Sequence, residues 1–104
     1  MSNILFTEPA EYDLIEIEYY IFVHLGNSMA ADRVVDGIMH TAEELSGFPE
    51  EHPLVNDTLL ARLGVRMTWF DNYNIFYFYD AQTDLIHILR ILNNRADWQN
   101  ILKR

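Results

Sequence analysis

Three arginines, Arg66, Arg90 and Arg95, are the residues of this chain whose type and placement could do chemistry. Arg66 stands in the run VRMTWF, Arg90 near the end of LIHILRIL, and Arg95 just beyond it in RILNNRADWQNILK. If those runs are strands of one sheet, the pleat can carry all three side chains to one end or face, as a small cationic patch. The competing role is structural, with Arg66 and Arg90 bridging to Asp71, Asp80 or Asp97. Asn93, Asn94 and Trp98 adjoin the same cluster, so an apolar run finishes on polar and cationic groups in a chain that is otherwise acidic.

Other chemistry is poorly represented. The sequence contains no glycine-rich phosphate loop, no HExxH, no nucleophile elbow and no EF-hand loop. The four histidines, His24, His40, His52 and His87, share no metal-ligand spacing, so no metal or cofactor is expected. Asp13 and Glu16 could form an acid–base pair, but the helical pattern puts them on a solvated face. The aromatics between Trp69 and Tyr79 could stack nucleic-acid bases. In a meander about half of them must instead face a core, which leaves an apolar opposite face of the kind that marks a protein partner.

The net charge is −9, and it is unevenly spread. Residues 1–58 hold twelve acids and one base, Arg33, for −11; residues 59–104 hold four acids and six bases, for +2. The two halves therefore differ in sign. At 104 residues, half of them apolar, the chain is expected to form one domain, 1–104, around a single core. The absence of cysteine excludes disulfides and fits a reducing compartment. The N-terminal MSNILFTEPAEYD has no basic leader, and no segment approaches the roughly 18 apolar residues of a membrane span, so a cytoplasmic protein is expected.

The elements that must position the arginines follow from periodicity. NILFT suits a first strand, with Thr7 as cap and Pro9 in the first turn of a helix running to Leu25. Leu14, Ile17, Ile21 and Leu25 form its apolar stripe, with Glu11, Asp13, Glu16 and Glu18 largely off it. After Gly26-Asn27-Ser28 a second helix runs from about Met29 to Leu45, with Ala31, Val34, Val35, Ile38, Met39, Ala42 and Leu45 on one face. So short a link predicts an antiparallel helical hairpin. EEHPLVNDTLLARLG reads as an irregular connection with one helical turn. Beyond Gly64 the period changes to two, and VRMTWF, YNIFYFYD and LIHILRIL, separated by DN and AQTD, predict an antiparallel meander. Asp97 to Lys103 supplies a last short helix. The expected fold class is α+β: a small antiparallel sheet, made of the N-terminal strand and the meander, packed on the hairpin.

Four segments in this order resemble the RelE/ParE superfamily of type II toxin–antitoxin toxins: FTEPAEYDLIEIEYYI, AADRVVDGIMHTAEELSGFPE, LGVRMTWFDNYNIFYFY and ILRILNNRADWQNIL. The resemblance spans essentially the whole chain and is closer to the ParE, or plasmid stabilisation, branch. It implies a toxin that inhibits DNA gyrase by protein binding, with Arg66, Arg90, Asn93, Asn94, Arg95 and Trp98 as target-binding candidates. It also implies a cognate ParD- or RelB-like antitoxin in a hetero-oligomer, its helix docked on the hairpin with Leu14, Ile17, Ile21, Val34 and Ile38 as contact candidates. The alternatives are a RelE-like ribosome-dependent mRNA endoribonuclease using Arg66, Arg90 and Arg95 as catalytic candidates, and an inactive antitoxin-binding domain. Nuclease members usually carry several cations on the middle strands. Here the position after Tyr73 is Asn74, Arg66 is the one base between Val65 and Trp69, and the only lysine is Lys103. ParE-like members often carry a histidine where this chain has Asn93 and a second arginine where it has Ala96.

Overall fold

The computed structural model describes residues 2–104. Strand β1 (Asn3–Phe6) leads into helix α1 (Glu8–Leu25), which turns at Gly26-Asn27 into α2 (Ser28–Glu44). An irregular stretch then precedes the short helix α3 (Thr58–Arg62). Strands β2 (Val65–Phe70), β3 (Tyr73–Asp80) and β4 (Leu85–Asn93) follow, and α4 (Trp98–Leu102) closes the chain.

Local rules account for the element boundaries. Thr7 caps α1 by accepting the Ala10 N–H, with Pro9 in the first turn, and Gly26 ends it in a left-handed conformation at φ 60°. Asn27 caps α2 through the Ala30 N–H. Asp57 caps α3 through the Leu60 N–H. The β2–β3 turn needs a positive φ, which Asp71 adopts at 53°, a conformation that a short polar side chain tolerates.

The sheet order is β1-β4-β3-β2. Strands β2, β3 and β4 form the expected antiparallel meander, but β1 runs parallel to β4, so the sheet is mixed. A strand that leaves the sheet through a helical hairpin and returns after three crossings can settle beside the last strand in either sense. Hydropathy does not distinguish them.

The sheet is covered on both faces. Ala10, Ile17 and Ile21 of α1 and Ala31, Val34, Ile38 and Ala42 of α2 pack on Ile75, Tyr77, Ile86, Ile88 and Ile91. On the other face Val55, Leu60, Val65, Phe76 and Leu92 form a second cluster, joined by Trp98, Ile101 and Leu102. The expectation of one core with an open apolar face is therefore corrected: the short helices α3 and α4 cover that face. Trp98 stacks on Phe76 with ring centroids 5.3 Å apart, and Lys103 Nζ reaches Asp57 Oδ2 at 2.6 Å, tying the end of α4 to the cap of α3.

Gly37, inside α2, marks a close approach. A Cβ there would collide with the Phe70 ring, so the glycine admits the end of β2 against the hairpin at the usual cost of a helical glycine, about 1 kcal/mol.

Candidate functional site

Strand β1 ends opposite Ile88, whereas β4 continues to Asn93, so the last part of β4 has no strand on its outer side. The backbone there is satisfied by the start of α1. Thr7 donates its N–H to the Ile88 carbonyl and its hydroxyl to the Leu89 carbonyl, and Asp13 accepts the Ile91 N–H at 2.9 Å. The same carboxylate takes a bidentate pair from Arg90, Nε to Oδ2 at 2.8 Å and Nη2 to Oδ1 at 2.9 Å. Asp13 is 7% exposed, so its charge is matched out of water by three donors. In return the carboxylate holds the Arg90 guanidinium above its ordinary pKa. Two expectations are overturned here. Asp13 lies beneath the helix rather than on a solvated face, and Arg90 pairs with it rather than with Asp71, Asp80 or Asp97. A signal for this was present: Asp13 stands three residues after Ala10 and four before Ile17, in line with buried positions.

Arg66 is also committed. It donates to the carbonyl of His52 at 2.6 Å and faces the Glu50 carboxylate at 3.8 Å. Leu54 bridges to Arg66 and the Val55 N–H donates to Val65 O, so the stretch 50–55 straps the start of the β2 edge. Beside it Tyr77 is fully buried, its hydroxyl without a hydrogen-bond partner among the described residues, and burial pushes its phenol up to about 12.

The three arginines therefore do not converge. Register places Arg66 opposite Tyr77 and Tyr77 opposite Ile88, while Arg95 lies past Asn93 at the far end of β4. Arg95 alone of the three has no carboxylate within ion-pair distance among the described residues. Its backbone N–H donates to Asn93 Oδ1, and the Asn94 N–H donates to Asn72 O at 2.7 Å, so the turn after β4 is pinned while its side chains stay exposed. Trp98, half-buried against Phe76, holds α4 on the sheet and stands apart from that turn.

Asn93, Asn94 and Arg95 line one wall of a cleft of about 490 Å³ between the sheet end and the hairpin turn. Tyr20, Leu25, Arg33, Asp71 and Tyr73 complete it. Arg33 Nη2 meets Asp71 Oδ2 at 3.3 Å across the opening, with both side chains largely in water, an arrangement worth little in stability. Burial pushes the Tyr73 phenol above its ordinary value, with Tyr20 and Asp71 adding to the shift. Tyr20, Arg33 and Tyr73 were not among the sequence candidates. Arg33 carried a signal, being the only base in residues 1–58.

The proposed contact residues of the hairpin need correction as well. Ile17, Ile21, Val34 and Ile38 are buried and Leu14 packs against them, because the stripe they form faces the sheet. Leu14 is partly exposed, and the other four present almost no surface to another chain. The exposed apolar residues of α1 are Tyr12, Ile15, Tyr19, Tyr20, Phe22, Val23 and Leu25.

This architecture, a helical hairpin backing a four-stranded sheet, is similar in fold to chains of solved toxin–antitoxin systems. A chain of the chromosomal ParDE system from P. aeruginosa aligns with a TM-score of 0.73 at 21% identity, covering 89% of this chain and 96% of that one. A chain of the RelBE2 toxin–antitoxin complex from Mycobacterium tuberculosis aligns with a TM-score of 0.66 at 19% identity, covering 88% and 96%. No curated protein matches the sequence. The model of the ParE toxin family, of type II toxin–antitoxin parDE systems, matches residues 4–98, and the chain belongs to that family.

Proposed function

We propose that the chain inhibits DNA gyrase by binding it, and that a cognate ParD-like antitoxin neutralises it in a cytoplasmic hetero-oligomer. The observation that carries this reading is the dispersal of the arginines. Cleaving a phosphodiester needs several donors converging on one developing charge, each worth roughly 3 kcal/mol. Two of the three candidate cations are engaged elsewhere, Arg90 with Asp13 and Arg66 with the 50–52 strap. What remains is Arg95 with Asn93 and Asn94 at the mouth of a cleft, a surface suited to recognition. Family membership places a partner-bound toxin first among the functions to test. Among the described residues no helix is long and apolar enough to cross a membrane.

The test is a plasmid supercoiling assay with purified gyrase, run beside mapping of mRNA ends in cells expressing the chain. Wild-type protein is expected to block supercoiling and leave message intact. Arg95→Ala is expected to raise the half-inhibitory concentration at least tenfold while its unfolding midpoint stays unchanged. Codon-positioned cuts in mRNA with unimpeded gyrase would overturn the reading in favour of RNA cleavage.

A further inference from the structure

Arg33 is the one base among residues 1–58, against twelve acids, and the fold sets it in the cleft that Arg95 lines from the sheet end. Asp71 is the only carboxylate on the walls of that cleft. The cleft therefore carries one positive charge in excess, within a chain of net charge −9.

Folding does not account for this pair. Arg33 meets Asp71 through a single 3.3 Å contact, with side chains 64% and 47% exposed, an arrangement that adds little to stability and breaks at little cost. The turn needs a short polar residue at position 71, where φ is 53°, and an asparagine would serve there equally well. The backbone explains the shape of Asp71 but not its charge. That charge keeps Arg33 occupied.

The rest of the lining suits an incoming carboxylate. Asn93 Oδ1 already accepts the Arg95 N–H, which leaves the Asn93 amide nitrogen to donate elsewhere, and Asn94 is exposed beside it. Arginine matches a carboxylate bidentately, a geometry that the single contact with Asp71 does not use. A nucleic-acid strand is the poorer occupant. Its phosphates repeat, whereas the cleft offers two cations, and the adjoining cleft that shares Tyr20, Tyr73 and Asn93 is edged by Glu16.

Resting on the gyrase-binding reading above, we propose that the cleft takes an aspartate or glutamate side chain of the target, and that Arg33 passes from Asp71 to that carboxylate on binding. Asp71 is then an internal competitor that holds Arg33 in the free toxin. Arg95 meets the same carboxylate from the opposite wall. Because the exchange takes place at a solvated opening, it acts mainly at low ionic strength.

The experiment measures the affinity of the full chain for purified gyrase, and for a single-stranded RNA oligonucleotide, at 50 mM and 500 mM NaCl. Arg33→Gln is expected to weaken gyrase binding about tenfold at 50 mM. Asp71→Asn, which keeps the turn, is expected to tighten it about three- to fivefold, the factor that an exposed ion pair is worth. Both differences should shrink at 500 mM, with the unfolding midpoints unchanged. A purely structural pair would shift both variants in the same direction, so weaker gyrase binding in both, or no change in either, would overturn the exchange and leave the gyrase reading standing. RNA binding that Arg33→Gln abolishes, with gyrase affinity untouched, would assign the cleft to nucleic acid instead. Failure of the wild-type chain to bind gyrase at either salt concentration would remove the underlying reading, and the exchange with it.

Discussion

Ile17 and Ile15 stand two residues apart on α1, yet Ile17 is 8% exposed and packs under the sheet while Ile15 is 62% exposed. The same split runs along the helix, with Ala10, Asp13, Ile17 and Ile21 on the inner side and Tyr12, Ile15, Tyr19 and Phe22 on the outer. The inner side even accommodates a carboxylate, because Arg90 and a backbone N–H meet it, whereas the outer side leaves large apolar rings in water. Residue type is thus a poor guide to which side holds the fold together. Helix α2, with Ala31, Val34, Ile38 and Ala42 inside and Asp32, Asp36, His40 and Glu43 outside, shows the ordinary one-sided pattern. The surplus apolar surface of α1 is the part of the hairpin that folding does not explain.

The inner side should dominate stability, and Asp13 most of all. Asp13→Ala leaves Arg90 half-buried with no counter-ion and the Ile91 N–H unmatched, and is expected to cost about 3–5 kcal/mol in urea unfolding. In the same cycle, Asp13→Ala combined with Arg90→Ala should cost clearly less than the sum of the single changes; strict additivity would show that the pair is not coupled.

Ile17→Ala removes packing from the same side and should cost about 3 kcal/mol, visible as a lower denaturation midpoint with unchanged slope.

A smaller effect comes from the pair that ties α4 to α3. The Lys103 ammonium donating to its carboxylate, aided by the Leu60 N–H, holds Asp57 below the usual carboxylate range. A depressed folded pKa means that this contribution is present above the unfolded value of about 4 and disappears as pH falls through the folded one. Wild type should therefore lose more stability than Asp57→Asn over that acid range, and parallel curves for the two proteins would refute the linkage.

Smallest of all should be the outer side. Tyr19→Ala is expected to change unfolding free energy by less than about 0.5 kcal/mol. A cost approaching that of Ile17→Ala would erase the distinction between the two sides of α1.

Much of the architecture was legible before any coordinates. The capping residue Thr7, the stop and fresh start at Gly26-Asn27-Ser28, the helix after it, a helical turn in the connection before Gly64, the three meander strands and the short last helix all stand close to where pattern and turn chemistry place them. These depend on interactions within about four residues, which a local reading can weigh. The candidate site was legible only in part. Asn93, Asn94 and Arg95 do line a cleft, but its other wall comes from Tyr20, Leu25 and Arg33, some 60 to 75 positions away in the chain. The hairpin contact candidates lie inward because the stripes chosen, Leu14, Ile17 and Ile21 on α1 and Val34 and Ile38 on α2, are the ones that pack on the sheet, and on α1 alone a second apolar side gives its own periodic signal.

By itself, then, the sequence determined the helices, the strands, their caps and turns, and the opposed charges of the two halves, since each of these is a sum over near neighbours or over composition. Only the tertiary structure decided that β1 runs parallel to β4, that Asp13 meets Arg90 across 77 residues, that Arg66 is taken by the 50–52 strap, and that Arg95 is left in water. Pairing of distant residues depends on strand order and register, and a carboxylate or guanidinium has the same local signature whether its partner waits in the sheet or in solvent.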